Sequence, residues 1–315
     1  MNQAMKWTDK VLKALEKKIN NAYYRASEDV TEKMQQYLDR FAKEDAVWAN
    51  KLKQGLITKD EYITWRTNHF MIGKNWQALK DTLASDLAHT DKIVAGIVNN
   101  TLIDVYAYNA NYAYYELEKG IGTGLSFTLY DHKAVENLLK KNPNFIPKVD
   151  PKIPKAERWN RQKITSEMLQ GILQGESIPK IAKRMRTVTN MDKASSIRNA
   201  RTYTTSVENK AKMDRYEEAE EAGIELEKEW MATLDDRTRA SHRELDGERV
   251  LNNERFSNGL MYPGDPSGDP EEIYNCRCRI VSRIKGHNYD RSGRFSKLGD
   301  ISYEDWKDGK NRGKK

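Results

Sequence analysis

Cysteine is nearly missing from this sequence: among 315 residues only Cys276 and Cys278 carry a thiol. One residue between them is too short a spacing for an ordinary mutual disulfide, which excludes a disulfide-stapled scaffold and fits a reducing compartment. Long apolar runs are also missing. None approaches the ~18–20 residues that a membrane span needs, and residues 1–20 are amphipathic and interrupted by lysine, unlike a signal peptide. The expectation is a protein without a membrane partner that stays in the cytoplasm where it is made. Hydrophobic residues make up only 38% against 32% charged. Apolar side chains must therefore gather on the faces of elements instead of filling one large core.

What is present is helical periodicity. From Thr8 to about Ala49 the positions Leu12, Leu15, Ile19, Tyr23, Ala26, Val30, Met34, Leu38 and Phe41 step by three or four, as one helix face does. Gly55 ends the run, and Thr58 with Glu61 has the spacing of a capping box. A second run through Tyr62, Trp65, Ile72, Trp76, Leu79 and Leu83 follows, and a third begins near Thr90 and closes at Gly120. Between residues 120 and 154 glycines and four prolines replace the pattern, which reads as a hinge. Helical spacing returns at Trp159, stops at Gly175, restarts after Ser177 with Pro179 in the first turn, and a last helix is expected from about Asp192 to Ala222. Beyond it, Ile224, Leu226 and Trp230 alternate as in a strand, Asp246-Gly247 makes a turn, and Cys276 to Ile284 alternates again.

The fold class predicted is mostly α with a small α+β C-terminal domain, its helices followed by a short antiparallel sheet. The division expected is a helical region over 1–120, a hinge over 121–154, a domain over 155–284 and a basic flexible tail over 285–315.

Charge is unevenly placed. Lys and Arg number 54 against 47 Asp and Glu. Residues 152–201 alone hold twelve basic side chains against four acidic ones, and 283–315 hold ten against five. Basic density of this kind attracts phosphate backbones without reading sequence, and it nominates Lys180, Lys183, Arg184, Arg186 and Arg198 for double-stranded DNA. The competing reading is a solvated basic helix face.

The densest set of unusual residues lies between Trp230 and Arg279. It comprises Trp230, a D-x-R-T-R-x-x-H run (Asp235, Arg237, Thr238, Arg239, His242), Leu245-Asp246-Gly247, Pro263-Gly264-Asp265-Pro266 and Asn275-Cys276-Arg277-Cys278. In this order these motifs resemble the phage Mu F-like head-morphogenesis family, the minor head proteins of tailed bacteriophages and prophages. Ala200-Arg201-Thr202 lies upstream, with Tyr203 where family members commonly carry Glu. The resemblance implies an assembly protein of the virion head interior, built in the host bacterial cytoplasm. Its partners would be the portal protein, capsid and scaffold proteins and, in some members, packaged DNA. It implies no enzyme activity.

Two readings of the cluster stay open. In an extended segment Cys276 and Cys278 share a face, and two thiolates with His242 and Asp235 make a four-ligand set suited to zinc. Alternatively the cysteines are small core residues and His242 bonds a carboxylate such as Asp235 or Asp246, while Asp235, Asp236, Arg237 and Arg239 form an ion-pair network that fixes the loop.

Enzyme readings are weaker. Arg201, Thr204-Thr205-Ser206 and Glu225-x-Glu227 have the residue order of ADP-ribosyltransferases, but Arg201 and Thr204 fall within one turn of a continuous helix, whereas that active site draws them from separate strands. A metal-dependent hydrolase or nuclease using His242, Cys276 and Cys278 is the better enzyme alternative, since a bound metal activates water.

Overall fold

The computed structural model describes residues 2–122, 124–285 and 301–312. Among them lie the helices α1 (Gln3–Lys53), α2 (Lys59–Ile72), α3 (Lys74–Ile121), α4 (His132–Lys141), α5 (Ile153–Leu173), α6 (Ile178–Glu221), α7 (Ala240–Glu244), α8 (Pro270–Ile273) and α9 (Tyr303–Arg312). The strands are β1 (Leu226–Met231), β2 (Arg249–Leu251) and β3 (Arg279–Ile284). The fold is mostly helical with a small antiparallel sheet near its C-terminal end.

The apolar stripe read from the sequence becomes the single helix α1, with Leu15, Ile19, Tyr23, Val30, Met34, Leu38 and Phe41 buried along it. Thr58 caps α2 reciprocally with Glu61. The next boundary differs from the expectation. Helix α2 stops at Ile72 and α3 runs unbroken through residues 83–90, because Trp76, Leu83, Leu87, Val94 and Val98 continue one buried face across the polar gap at Ser85 to Asp91. Gly73, in extended conformation, makes the break instead. The two helices expected between Ser177 and Ala222 are likewise one, α6. Its buried stripe of Ile181, Met185 and Val188 passes into Ala200 and Val207 through Asp192, itself buried.

The packing divides the chain into two units, neither contiguous in sequence: residues 16–97 with 150–197, and residues 1–15 with 98–149 and 198–315. Helices α1, α3 and α6 contribute to both. In the first, Val30, Met34, Leu38 and Phe41 of α1 share a core with Trp76, Leu83 and Leu87 of α3, Ile164, Met168 and Ile172 of α5, and Ile181, Met185 and Val188 of α6. Helices α5 and α6 approach closely at Gly171, where an added Cβ would lie 2.8 Å from Ile181.

In the second unit, β1 lies centrally in the order β2-β1-β3, antiparallel to both neighbours, with Trp230 opposite Ile280 and Glu229 opposite Arg249. Leu226 and Trp230 point into a core with Tyr114 and Leu117 of α3 and Met213 and Tyr216 of α6. Between them on the inward face stands Lys228, whose ammonium donates to the Asn252 carbonyl at 2.9 Å. Burial pushes its pKa down to about 8.

Residues 121–154, expected as a hinge, contain α4 and are fastened to α3. Asn111 exchanges two hydrogen bonds with the Tyr130 backbone, and Asn99 does the same with Val149. Within the expected flexible tail, α9 is docked: Tyr303 is buried with Tyr112 and Tyr115, and the Trp306 indole donates to Glu118. Two aromatics in lysine-rich surroundings outweigh the polar composition there. Residues 286–300 and 313–315 of that expectation lie outside the described residues.

Candidate functional site

The motif residues converge because α6 offers a polar face where a helix packed on a core would ordinarily offer apolar ones. Strand β3 is a sheet edge, and the extended residues leading into it carry backbone groups that need partners. Side chains of α6 supply them at helical spacing. Thr202 accepts the Asn275 N–H at 3.0 Å, and Thr205 donates to the Cys276 carbonyl at 2.6 Å. Asn209 donates to the Cys278 carbonyl at 3.2 Å and accepts the Ile280 N–H at 3.0 Å, while Lys212 reaches the Ile280 carbonyl at 3.4 Å. Asn209 and Lys212 were not singled out in the sequence, and Thr202 and Thr205 entered it only within other motifs. Polar residues within a helix normally mark its solvent side, and only their recurrence at 202, 205, 209 and 212 beside the apolar Val207 and Ala211 hinted otherwise.

The other motifs are fasteners of the same kind. Asn275 has φ 54°, a left-handed conformation that asparagine tolerates better than most residues, and this turns the chain into Cys276. Gly264, φ 81°, lies against α6, where its virtual Cβ would be 3.0 Å from the Ser206 nitrogen. Asp246 accepts the Ala232 N–H at 2.8 Å, and Gly247, φ 83°, donates to the Trp230 carbonyl at 2.8 Å. Arg239 donates to the Tyr274 carbonyl.

Asp235 is no part of a metal cluster, contrary to the four-ligand expectation. Both its oxygens are taken by the Arg277 guanidinium, and it also accepts the Arg237 N–H at 3.0 Å. The Arg277 hydrogen bonds hold its carboxyl well below the usual range. Alternation along Cys276-Arg277-Cys278 sends Arg277 to the opposite side from the thiols, and Asp235 follows it. Of the ion-pair network expected of this loop, only Asp235 with Arg237 is found among the described residues, at a looser 3.7 Å; the main cation is Arg277, and Arg239 turns to a backbone carbonyl instead.

His242, Cys276 and Cys278 do meet, all three buried. Helix α7 delivers His242 so that Nδ1 lies 3.6 Å from the Cys276 sulfur and 3.4 Å from the Cys278 sulfur. The carboxylate partner of the ring is neither Asp235 nor Asp246 but Glu272 on α8, 2.9 Å from Nε2. The Trp230 indole and the imidazole pack edge to face, centroids 5.3 Å apart. Burial, the largest influence on His242, favours the neutral ring, but the bond to Cys278 and the charges of Cys278 and Glu272 together hold its pKa above the ordinary value. The thiols divide: hydrogen bonding from Cys276 draws the Cys278 pKa down, while the same contact and burial push Cys276 up.

Of the residues nominated for DNA, Lys180, Lys183 and Arg186 are exposed on α6, with Glu28 3.7 Å from Arg186. Arg184 is spoken for: it bonds Glu176 at 2.6 Å and Glu167 at 3.1 Å, tying α5 to α6. Arg198 stacks its guanidinium over Tyr274 at 5.2 Å.

Residues 162–281 match the family model described as Phage Mu protein F like protein. The chain is 23% identical over 286 residues to minor head protein GP7 of Bacillus phage SPP1, covering 89% of this chain and 86% of that protein. It is 29% identical over 198 residues to NAD(+)--arginine ADP-ribosyltransferase EFV of Enterococcus faecalis (strain ATCC 700802 / V583), covering 61% of this chain and only 40% of that protein's length. No solved structure matches. The residues that gave the order of a transferase site do not assemble one here. Arg201 and Thr204 to Ser206 lie within α6, with Thr204, Thr205 and Ser206 buried, and Glu225 pairs with Lys285 at the surface.

Proposed function

Since this chain carries a Mu F-like domain of the phage minor head family, we propose that it acts in head morphogenesis by binding the portal protein at the vertex of the procapsid. Its other contacts would be capsid and scaffold proteins, its place the head interior, and its assembly the host cytoplasm. The observation that carries a binding role is the use made of the motifs. From Trp230 to Cys278 they pack a core, pair with one another or hold backbone groups in place, with His242 and both cysteines at most 2% exposed. A hydrolase needs its metal open to substrate, which does not favour the metallohydrolase alternative. Precipitating the portal subunit from infected cells is expected to bring this protein down with procapsids. The reading fails if deleting the gene leaves procapsid composition, packaged DNA and infectivity unchanged.

Duplex DNA is the further partner, bound without sequence preference through the exposed face of α6. Replacing Lys180, Lys183 and Arg186 together with glutamine is expected to reduce the slope of log affinity against log salt by about 2 to 3, one counterion per lost phosphate contact. Arg184→Gln belongs to a different class, because it removes the link between α5 and α6. Filter binding across a salt series checks this. No binding at low salt, or an unaltered slope in the triple variant, removes DNA from the partners.

A further inference from the structure

The Nδ1 atom of His242 faces two sulfurs at once, at 3.4 and 3.6 Å. One nitrogen carries at most one proton, and that proton points at one acceptor, so an Nδ1–H serves one sulfur well and the other poorly. A cation lying between the three atoms serves all of them. The spacing supports this: with zinc about 2.3 Å from sulfur and about 2.0 Å from nitrogen, a tetrahedral S–Zn–N angle puts sulfur and nitrogen roughly 3.5 Å apart. All three donor atoms lie within 4.8 Å of one another.

The surroundings hold these donors in place. Nε2 faces Glu272, which fixes the tautomer that leaves the Nδ1 lone pair directed at the thiols, the carboxylate–histidine arrangement that raises ligand basicity. Ser241 holds the second Glu272 oxygen at 3.2 Å. The Cys278 N–H points at the Cys276 sulfur at 3.4 Å, stabilising negative charge there. Thr205 and Asn209 fix the carbonyls of both cysteines. Three donors are thus oriented by a complete outer ring of hydrogen bonds and closed from bulk water.

We propose that Cys276 Sγ, Cys278 Sγ and His242 Nδ1 bind a zinc ion, with Glu272 as the positioning residue for the imidazole and a solvent molecule at the fourth corner. Two soft sulfurs and an imidazole select zinc over magnesium or calcium, which take oxygen. The ion fastens α7 to the segment entering β3, so its binding energy adds to the folded state of the sheet.

The test uses the full chain purified without a histidine tag and without added metal. Mass spectrometry is expected to find about one zinc per chain, and exchange into cobalt is expected to give the intense thiolate-to-metal absorption and visible bands of a tetrahedral site. Glu272→Gln is expected to keep the metal but weaken it by about 10- to 100-fold, read by competition with a chromogenic chelator. Cys276→Ser and Cys278→Ser are each expected to lose the cobalt bands. Should either fail to fold, the wild-type chain decides alone, since a chelator is expected to lower its melting temperature. Less than about one-tenth equivalent of zinc after loading, with no cobalt bands and no chelator effect, overturns the site and leaves a packed thiol–imidazole cluster.

Discussion

Asn209→Ala is expected to destabilise the sheet-bearing unit by on the order of 3 kcal/mol, although no sequence motif marks the residue. Its fully buried amide donates to the carbonyls of Pro263 at 2.9 Å and Cys278 at 3.2 Å and accepts the Ile280 N–H at 3.0 Å. Alanine removes these three bonds and the one to the Thr205 carbonyl, at 3.0 Å, at once. Each buried group left without a partner costs about 1–3 kcal/mol, and partial relaxation keeps the total below the simple sum. Asn209→Asp separates the two halves of the effect: a carboxylate still accepts from Ile280 but repels the two carbonyls, so a comparable loss is expected. Urea unfolding followed by circular dichroism gives the size, and hydrogen exchange at the Ile280 amide gives the place. A change under about 0.5 kcal/mol with Ile280 still protected would mean that α6 does not hold the strand edge.

Gly264→Ala is the second large effect, and Gly247→Ala is its control. Both glycines are left-handed, at φ 81° and 83°. A side chain in that conformation costs about 1–2 kcal/mol wherever it occurs. They differ in what the new methyl meets. At Gly247 nothing lies within 4 Å, whereas at Gly264 the backbone nitrogen and Cα of Ser206 stand at 3.0 and 3.1 Å. A helix backbone yields less readily than a side chain, so Gly264→Ala is expected to lose about 1–2 kcal/mol beyond the control. Thermal melting of the two variants side by side measures the difference. Equal losses would place the whole effect in the backbone angle and none in the contact with α6.

These two residues also show what the sequence made legible. Gly264 stood within a recognisable motif, and Trp230, Gly247 and the stripe of α1 declared themselves by type or spacing, because glycine geometry and apolar periodicity are local properties. Asn209 did not, since its value depends on a strand edge about seventy residues further on, at Ile280. The same distinction separates the two carboxylates near the thiol cluster. Asp235 sat in the motif and was the natural fourth ligand, but alternation turned Arg277 toward it and away from the cysteines. Glu272, in an unremarkable Pro-Glu-Glu run, was brought to His242 by the turn of α8. Helix ends showed a milder form of the problem. One helical run was read to end at Leu83 and the next to begin near Thr90, yet Leu83 and Leu87 lie on one buried face, and a helix continues wherever its stripe does.

The non-contiguous make-up of the sheet-bearing unit sets the order of events when the chain leaves the ribosome. Asp9 on α1 pairs with Arg279 on β3 across 270 positions, and the core joins residues of α3 to the final third of the sequence. At about 5–20 residues per second, on the order of tens of seconds separate the synthesis of Asp9 from that of its partner. During that interval Ala4, Tyr112 and Tyr115 await Tyr303, and Tyr114 and Leu117 await Trp230 and Ile280. The nascent protein therefore carries an uncovered aromatic surface until Tyr303 has been made. The waiting time, together with the slow closure of so long a loop, makes this unit later to form than the one completed by residue 197, and leaves it longer in need of protection while it is being made.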